Sequence, residues 1–116
     1  MEEHAIEAAL TEAASAAQAR LTSLTADLHE VISAASDSNL DDEHDPEGST
    51  IAFEREQLAA LREQARQQLN EARAALDRLA AGRYGSCECC GAPIGAERLA
   101  ARPTARYCVR CAARRT

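Results

Sequence analysis

Four cysteines near the C-terminal end of the chain have the spacing of a metal site. Cys87 and Cys90 form one C-x2-C pair, and Cys108 and Cys111 form a second pair after 17 intervening residues. Each pair presents two soft thiolates on a tight turn, so four of them can surround one divalent cation tetrahedrally. Gly91 permits the backbone twist that such a turn requires. The spacing predicts one structural Zn²⁺ ion, because a closed site leaves no open coordination position; iron in the same cage and a disulfide pair are the alternatives.

A fifth cysteine, Cys89, lies inside the first pair. Using Cys89 in place of Cys90 would give a C-x-C turn and would move Gly91 away from the second ligand. We therefore expect Cys89 to be a spare thiol, with a redox switch as the alternative. The odd number of cysteines also argues against a secreted disulfide framework.

Composition narrows the class of protein. The chain has 116 residues, which is room for one small domain or two subdomains, and its only aromatic residues are Phe53, Tyr84 and Tyr107. No apolar run is long enough to cross a bilayer, and the first residues are acidic, unlike a signal peptide. We expect a soluble, cytoplasmic protein that does not contact a membrane.

Charge is distributed unevenly. Residues 1–47 contain twelve acidic side chains and the single basic residue Arg20, whereas residues 98–116 contain six arginines and no acid. An acidic first half is repelled by a phosphate backbone, so we do not expect the whole protein to wrap nucleic acid. The basic segment keeps a local contact possible.

Two stretches show the periodicity of amphipathic helices. In each stretch apolar residues recur in steps of three and four, at Ile6, Leu10, Ala13, Ala17, Leu21, Leu24, Leu28 and Val31, and at Leu58, Leu61, Ala65, Leu69, Ala72, Leu76 and Leu79. The second helix is predicted over about 50–81, with turn chemistry at about 36–49 between the two. Laid antiparallel, most pairs of apolar positions have residue numbers that sum to 89. A compact bundle is the alternative, but there is no third amphipathic segment to cover it.

These patterns predict a mainly α fold. Residues 1–83 are expected to form an antiparallel two-helix coiled-coil hairpin with an acidic tip at about 36–49, and residues 84–116 a small four-cysteine zinc finger with a short basic tail. The tip contains five carboxylates within residues 41–47. We select Asp42, Asp45 and Glu47 as partner-binding residues, because carboxylates on a narrow arm can enter a basic or metal-containing site; a solvated loop is the simpler interpretation. No nucleophile and base can be assembled, so we do not expect an enzyme.

The residues around the cysteines resemble the zinc-finger signature of the DksA/TraR family. The resemblance rests on Tyr-Gly-Ser-Cys-Glu-Cys-Cys-Gly at 84–91, Pro-Ile-Gly at 93–95, Glu-Arg-Leu at 97–99, Ala-Arg-Pro-Thr at 101–104, and the second cysteine pair. It covers about residues 84–112. The helical hairpin with Asp45-Pro46 at its tip is similar to the coiled coil of the same family, which extends the resemblance to about residues 5–112.

The resemblance implies a specific function. DksA-like proteins bind RNA polymerase at its secondary channel and rim, place the acidic coiled-coil tip near the active site, and alter initiation at selected promoters without binding DNA themselves. Gly48 stands where the family has a second tip Asp, and Glu47 lies one residue earlier. Arg102 matches a basic residue that contacts the polymerase or ppGpp, but other basic positions correspond to about Gln64, Glu71 and Ala112. We expect the response to ppGpp to be weak or absent unless Arg110, Arg114 or Arg115 substitutes.

Two other classes of function remain open at this point. One is a zinc-finger DNA-binding protein that uses the arginines of the C-terminal segment, namely Arg98, Arg102, Arg106, Arg110, Arg114 and Arg115. Pro103 would interrupt the helix that could align the central three of these. The other is a structural coiled-coil protein that oligomerises and uses zinc for stability.

Overall fold

The computed structural model describes residues 2–38 and 46–115 and shows a mainly helical chain. Helix α1 spans Glu3–Ser38, α2 spans Pro46–Ala80, α3 spans Ala96–Ala101 and α4 spans Val109–Arg114. Within these residues, β pairing is limited to an isolated antiparallel bridge between Ser86 and Pro93. None of the described helices is both long and apolar enough to cross a membrane. The expected fold class, an α-helical hairpin followed by a four-cysteine module, is confirmed.

Both long helices extend beyond their predicted bounds toward the acidic segment. Helix α1 continues to Ser38, and α2 begins at Pro46 rather than near Thr50. Pro46 is compatible with the first position of a helix, because its φ is already helical and the N–H it lacks would have no partner there. The turn prediction for residues 46–49 was therefore wrong: Pro and Gly in this stretch mark the beginning of a helix.

Helix α2 ends in a Schellman motif. The Arg83 N–H donates to the Arg78 carbonyl at 2.8 Å, and the Gly82 N–H donates to the Leu79 carbonyl at 3.2 Å. Gly82 has a φ of 75°, a left-handed conformation that glycine adopts without a Cβ penalty. This motif ends α2 at Ala80, seven residues before Cys87, and sets the direction in which the chain enters the four-cysteine module.

The chain divides into two compact units. One unit comprises residues 1–15 and 68–116, which contain the beginning of α1, the end of α2 and the four-cysteine module. The buried apolar residues that its two long helices contribute are Leu10, Leu69, Ala72 and Ala75. The other unit comprises residues 16–67. Its buried residues include Ala17, Leu28 and Ala65. In the first unit the beginning of α1 lies beside the end of α2, since Glu3 and Glu7 line the same small cleft as Leu76 and Leu79.

The buried face of α1 differs from the predicted stripe at one position. Ala13 is exposed, whereas Ala14 is half-buried. With Ala14 included, the inward positions from Leu10 to Ala35 follow the alternating steps of four and three that define a heptad pattern. The extra four-residue step therefore falls between Ile6 and Ala14. Alanine is too small and too weakly apolar to show from sequence which of two neighbouring positions faces inward.

On α2 the predicted stripe is only partly buried. Ala65, Leu69 and Ala72 are buried as expected, but Leu61 is 42% exposed. The small alanines on this face leave little side-chain surface to cover a neighbouring leucine. The individual cross-helix pairs stay a prediction.

Burial of Leu10 gives a direct test of this packing. Leu10 is fully buried, so we expect Leu10→Ala to lower the free energy of unfolding by about 3 kcal/mol through lost apolar burial and a residual cavity. Leu61→Ala is the matched control and should cost about 1 kcal/mol, because 42% of the Leu61 surface is already exposed to water. Urea denaturation followed by circular dichroism at 222 nm measures both. Equal losses in the two variants would contradict the described burial.

Candidate metal centre

The first cysteine pair lies on a tight backbone turn. The Gly91 N–H donates to the Cys87 carbonyl at 2.9 Å, and the Cys87 N–H donates to the Ala92 carbonyl at 2.8 Å. Gly91 has a φ of 77°, the left-handed conformation expected from its position after the second cysteine. These bonds fold residues 87–92 back on themselves, so the side chains of Cys87 and Cys90 converge.

The second pair begins a helix. Cys108 is the N-cap of α4, and Cys111 lies in the first turn of that helix. The Ala112 N–H donates to the Cys108 carbonyl at 2.9 Å, which closes this turn. Residues three apart on a helical turn are neighbours on one side, so both thiols are presented in the same direction.

The four thiols meet in one cluster. The sulfur atoms of Cys87, Cys90, Cys108 and Cys111 all lie within 4.8 Å of one another. The Cys90 and Cys108 Sγ atoms, one from each pair, are 3.8 Å apart. A tetrahedron with Zn–S distances of about 2.3 Å has S···S edges of about 3.8 Å, so the donor set fits a four-coordinate zinc ion. Cys87 and Cys111 are buried, whereas Cys90 is exposed.

Cys89 does not join the cluster. Its side chain is exposed, and the group of potential ligand atoms comprises the other four cysteines. The C-x2-C interpretation of the first pair therefore agrees with the geometry.

Backbone hydrogen bonds favour the thiolate form of one cysteine in each pair, Cys87 in the first and Cys108 in the second. Hydrogen bonding from backbone N–H groups, chiefly those of Cys90 and Cys108, lowers the pKa of Cys87 to about 6. The backbone N–H of Cys111 lowers the pKa of Cys108 in the same way. The pKa of Cys111 is raised, first by its hydrogen bond to Cys108 and then by burial. Four crowded sulfurs cannot all ionise without a compensating cation, and a divalent metal ion supplies that charge.

A small apolar cluster surrounds the thiols. Ile94 and Ala105 are buried together with Cys87 and Cys111, and Leu99 packs against them. Because two of the four buried members are candidate ligands, the module has little apolar core of its own.

Tyr84 joins the beginning of the module to the segment after α3. Its hydroxyl donates to the Pro103 carbonyl at 2.7 Å. Burial raises the pKa of Tyr84, so the phenol stays protonated and keeps this donor.

Sequence inspection missed a group of charged residues that connects α2 with the module. Arg78 is the buried charged residue among those the structure describes, at 6% exposure. Its Nη1 atom lies 3.7 Å from Glu88 Oε1, and its Nη2 atom donates to the Thr104 carbonyl at 3.4 Å. Glu88 also pairs with Arg106, whose Nη2 atom is 2.7 Å from Oε2. The only signal in the sequence was that Glu88 and Arg106, which lie close to the two cysteine pairs, have opposite charges.

Four of the six C-terminal arginines line a shallow cleft of about 250 Å³, which also includes Glu71; they are Arg98, Arg102, Arg106 and Arg115. Arg102, the family-matched basic residue, is exposed at its edge and follows the end of α3, so the predicted interruption at Pro103 is observed. Two other arginines make contacts within the protein. Arg98 Nε donates to the Tyr107 carbonyl at 2.9 Å, and the Arg115 guanidinium lies 4.3 Å from the centre of the Tyr107 ring.

Of the three carboxylates selected at the acidic tip, one lies within the described residues. Asp42 and Asp45 lie outside the described residues, and Glu47 belongs to the first turn of α2. Their selection as partner-binding residues stays a prediction.

Comparison with known proteins shows which zinc-finger family the four-cysteine module matches. Residues 82–116 match the family model of the prokaryotic dksA/traR C4-type zinc finger. A 50-residue stretch is 42% identical to the RNA polymerase-binding transcription factor DksA of Haemophilus influenzae and covers 43% of this chain and 34% of that protein. An uncharacterised protein of Aquifex aeolicus is 48% identical over 44 residues, or 38% of this chain and 30% of its own length. The chain thus spans about a third of each of these curated relatives.

A likeness to a solved structure extends over nearly the whole chain. The transcription factor DksA2 of Pseudomonas aeruginosa superposes with a TM-score of 0.78 and 26% sequence identity, covering 97% of this chain and 81% of DksA2. The superposition includes the long helices as well as the cysteine module. The zinc-finger match shows that residues 82–116 form a module of the prokaryotic dksA/traR C4 type, and the sequence relatives and this structural likeness show that the chain resembles DksA/TraR-family proteins.

Proposed function

We propose that Cys87, Cys90, Cys108 and Cys111 bind one structural Zn²⁺ ion. Support comes from the mutual approach of their sulfur atoms within 4.8 Å and from the C4-type family model. A four-thiolate site holds the ion without an open position, so the metal crosslinks the two cysteine pairs. Because the surrounding apolar cluster is small, metal binding supplies much of the free energy that folds this module.

Metal removal and single cysteine variants test this assignment. We expect one zinc ion per chain in the wild-type protein and in Cys89→Ser, and its loss in Cys90→Ser, which is the matched variant at a neighbouring exposed thiol. Elemental analysis measures the metal content. Chelation should lower the melting temperature of the wild-type protein, since structural zinc contributes on the order of 10 kcal/mol to small modules. Retention of zinc by Cys90→Ser together with its loss from Cys89→Ser would overturn the ligand assignment.

We further propose that the protein is a transcription regulator that binds RNA polymerase. The observation that carries this proposal is the structural likeness to the transcription factor DksA2 along 97% of the chain. The Haemophilus influenzae relative is itself described as RNA polymerase-binding. In this proposal the helical hairpin enters the secondary channel of the polymerase, the module docks at the rim, and Arg102 contacts the polymerase. We expect ppGpp to have little effect, because Glu71 places a negative charge in the cleft beside Arg102.

The acidic tip is the proposed working end. Asp42, Asp45 and Glu47 would lie near the polymerase active site, where carboxylates can perturb bound metal ions and basic side chains. The protein needs no catalytic group of its own for this role, and it would act in the cytoplasm, where the polymerase works.

Direct DNA binding is less well supported than polymerase binding. The arginines that could contact phosphates are partly engaged within the protein: Arg106 pairs with Glu88, and Arg98 bonds to a backbone carbonyl. The acidic first half of the chain would also oppose a phosphate backbone. A purely structural, oligomerising protein is the remaining alternative, and it predicts no effect on transcription.

Polymerase binding is the first experiment. We expect the zinc-loaded protein to bind its cognate core RNA polymerase saturably and to be displaced by a Gre-type factor that occupies the secondary channel. Fluorescence anisotropy of the labelled protein measures both. Binding without displacement would move the proposed site away from the channel. Failure to bind polymerase, combined with salt-dependent affinity for DNA, would favour the DNA-binding alternative.

Tip variants separate binding from regulation. Asp45→Ala is expected to abolish the effect on initiation while changing polymerase affinity by less than about three-fold, because the tip acts after docking. Asp42→Ala and Glu47→Ala test the other proposed carboxylates. Glu56→Ala removes an exposed acid further along α2 and serves as the control. In vitro transcription from a responsive promoter provides the measurement. If all three tip variants behave like the control, the tip mechanism is wrong.

A further inference from the structure

Glu88 and Arg106 contact each other through both backbone and side chain. The Glu88 N–H donates to the Arg106 carbonyl at 2.9 Å. The Arg106 Nε atom donates to Glu88 Oε2 at 2.9 Å, and its Nη2 atom lies 2.7 Å from the same oxygen.

Glu88 and Arg106 each lie close in sequence to one of the two cysteine pairs. Glu88 lies between Cys87 and Cys90, and Arg106 lies two residues before Cys108. A contact between them therefore fixes the distance between the turn of the first cysteine pair and the segment that leads into α4. Cys87 lies one residue from this contact and Cys108 lies two, so the geometry of the contact limits where their sulfur atoms can lie.

Arg78 provides a third attachment from the end of α2. Its guanidinium lies 3.7 Å from Glu88 Oε1, whereas Arg106 contacts Oε2. Arg78 also donates to the Thr104 carbonyl at 3.4 Å. Arg78 is itself buried, at 6% exposure. The Glu88 carboxylate is thus held on both oxygens, and the segment before Cys108 is held at residues 104 and 106.

We infer that Glu88 and Arg106 are positioning residues for the four-cysteine site, and that Arg78 holds the Glu88 carboxylate in place from α2. The contacts reduce the number of arrangements available to the two cysteine pairs, so less conformational entropy is lost when a metal ion joins them. This inference rests on the proposed zinc binding, and it assigns a role to charged residues outside the set of candidate ligands.

If Glu88 and Arg106 acted on the metal site only through their charges, substituting them would have opposite effects on metal affinity. Near four thiolates, neutralising Glu88 would remove a repulsive negative charge and strengthen metal binding, whereas neutralising Arg106 would remove an attractive positive charge and weaken it. Positioning by the pair predicts weaker binding in both variants. It also predicts that the double variant is no worse than Glu88→Gln alone, because either substitution breaks the contact between Glu88 and Arg106.

The experiment is a double-mutant cycle on the full chain. Zn²⁺ affinity is measured by competition with a chromophoric chelator for Glu88→Gln, Arg106→Gln and the double variant, and Co²⁺ absorption reports whether four thiolates still bind. We expect each variant, single or double, to bind Zn²⁺ about five-fold more weakly, within the range of a partly exposed ion pair. Arg106→Lys should restore part of the loss. Glu63→Gln and Arg66→Gln break an exposed ion pair of α2 at 2.6 Å and form the matched control cycle, expected to leave affinity unchanged.

The possible results separate the inference from the zinc assignment. Absence of Zn²⁺ and Co²⁺ binding in the wild-type protein would overturn the proposed metal site itself. Wild-type binding with unchanged affinity in the variants, opposite effects of the two single substitutions, or an additive loss of about 25-fold in the double variant would overturn the positioning role alone.

Discussion

The convergence of four thiols is the constraint on which the C-terminal module depends. Among its few buried residues, Cys87 and Cys111 are as important to the core as Ile94 and Ala105. A core of this size offers little apolar burial to offset the entropy of ordering the chain, so the module requires crosslinking through its cysteines. The turn at Gly91 and the helix start at Cys108 are two different local solutions that present thiols in the same direction. Each uses backbone hydrogen bonds and leaves the sulfur atoms available as ligands.

The end of α2 connects this module to helical structure within the same compact unit. The Schellman motif at Gly82 ends the helix at a defined residue, and Arg78 reaches from the last turn to Glu88 and the Thr104 carbonyl. A cation in the last turn of a helix is favoured by the helix dipole, and here it also pairs with a carboxylate and bonds to a backbone carbonyl. A leucine would bury more apolar surface but could bond to neither group. Burial of this arginine is thus compensated by its partners and makes the attachment specific.

Acidic and basic residues are concentrated in different parts of the chain, and this distribution bears on the proposed regulatory role. Acidic residues dominate the first part of the sequence and arginines dominate the end, where Arg98, Arg106 and Arg115 contact neighbouring groups of the module. Some of the basic character therefore contributes to structure, which leaves exposed Arg102, Arg110 and Arg114 as the arginines of this segment most suited to a partner. Glu71 beside Arg102 distinguishes this cleft from a purely cationic one. These features agree better with a protein partner than with nucleic acid.

Local patterns in the sequence were sufficient for the helical hairpin, the four-cysteine module and the exclusion of Cys89, because heptad spacing and C-x2-C spacing are short-range properties. The beginning of α2 was misjudged, since Pro46 is equally suited to a turn and to the first position of a helix. Only the tertiary structure decided that Ala14 faces inward in place of Ala13 and that Leu61 is largely exposed. It alone revealed the contacts of Arg78, which join residues far apart in the sequence. Such contacts depend on how elements approach in space, and a charged residue in an amphipathic helix carries no local sign that it will be buried.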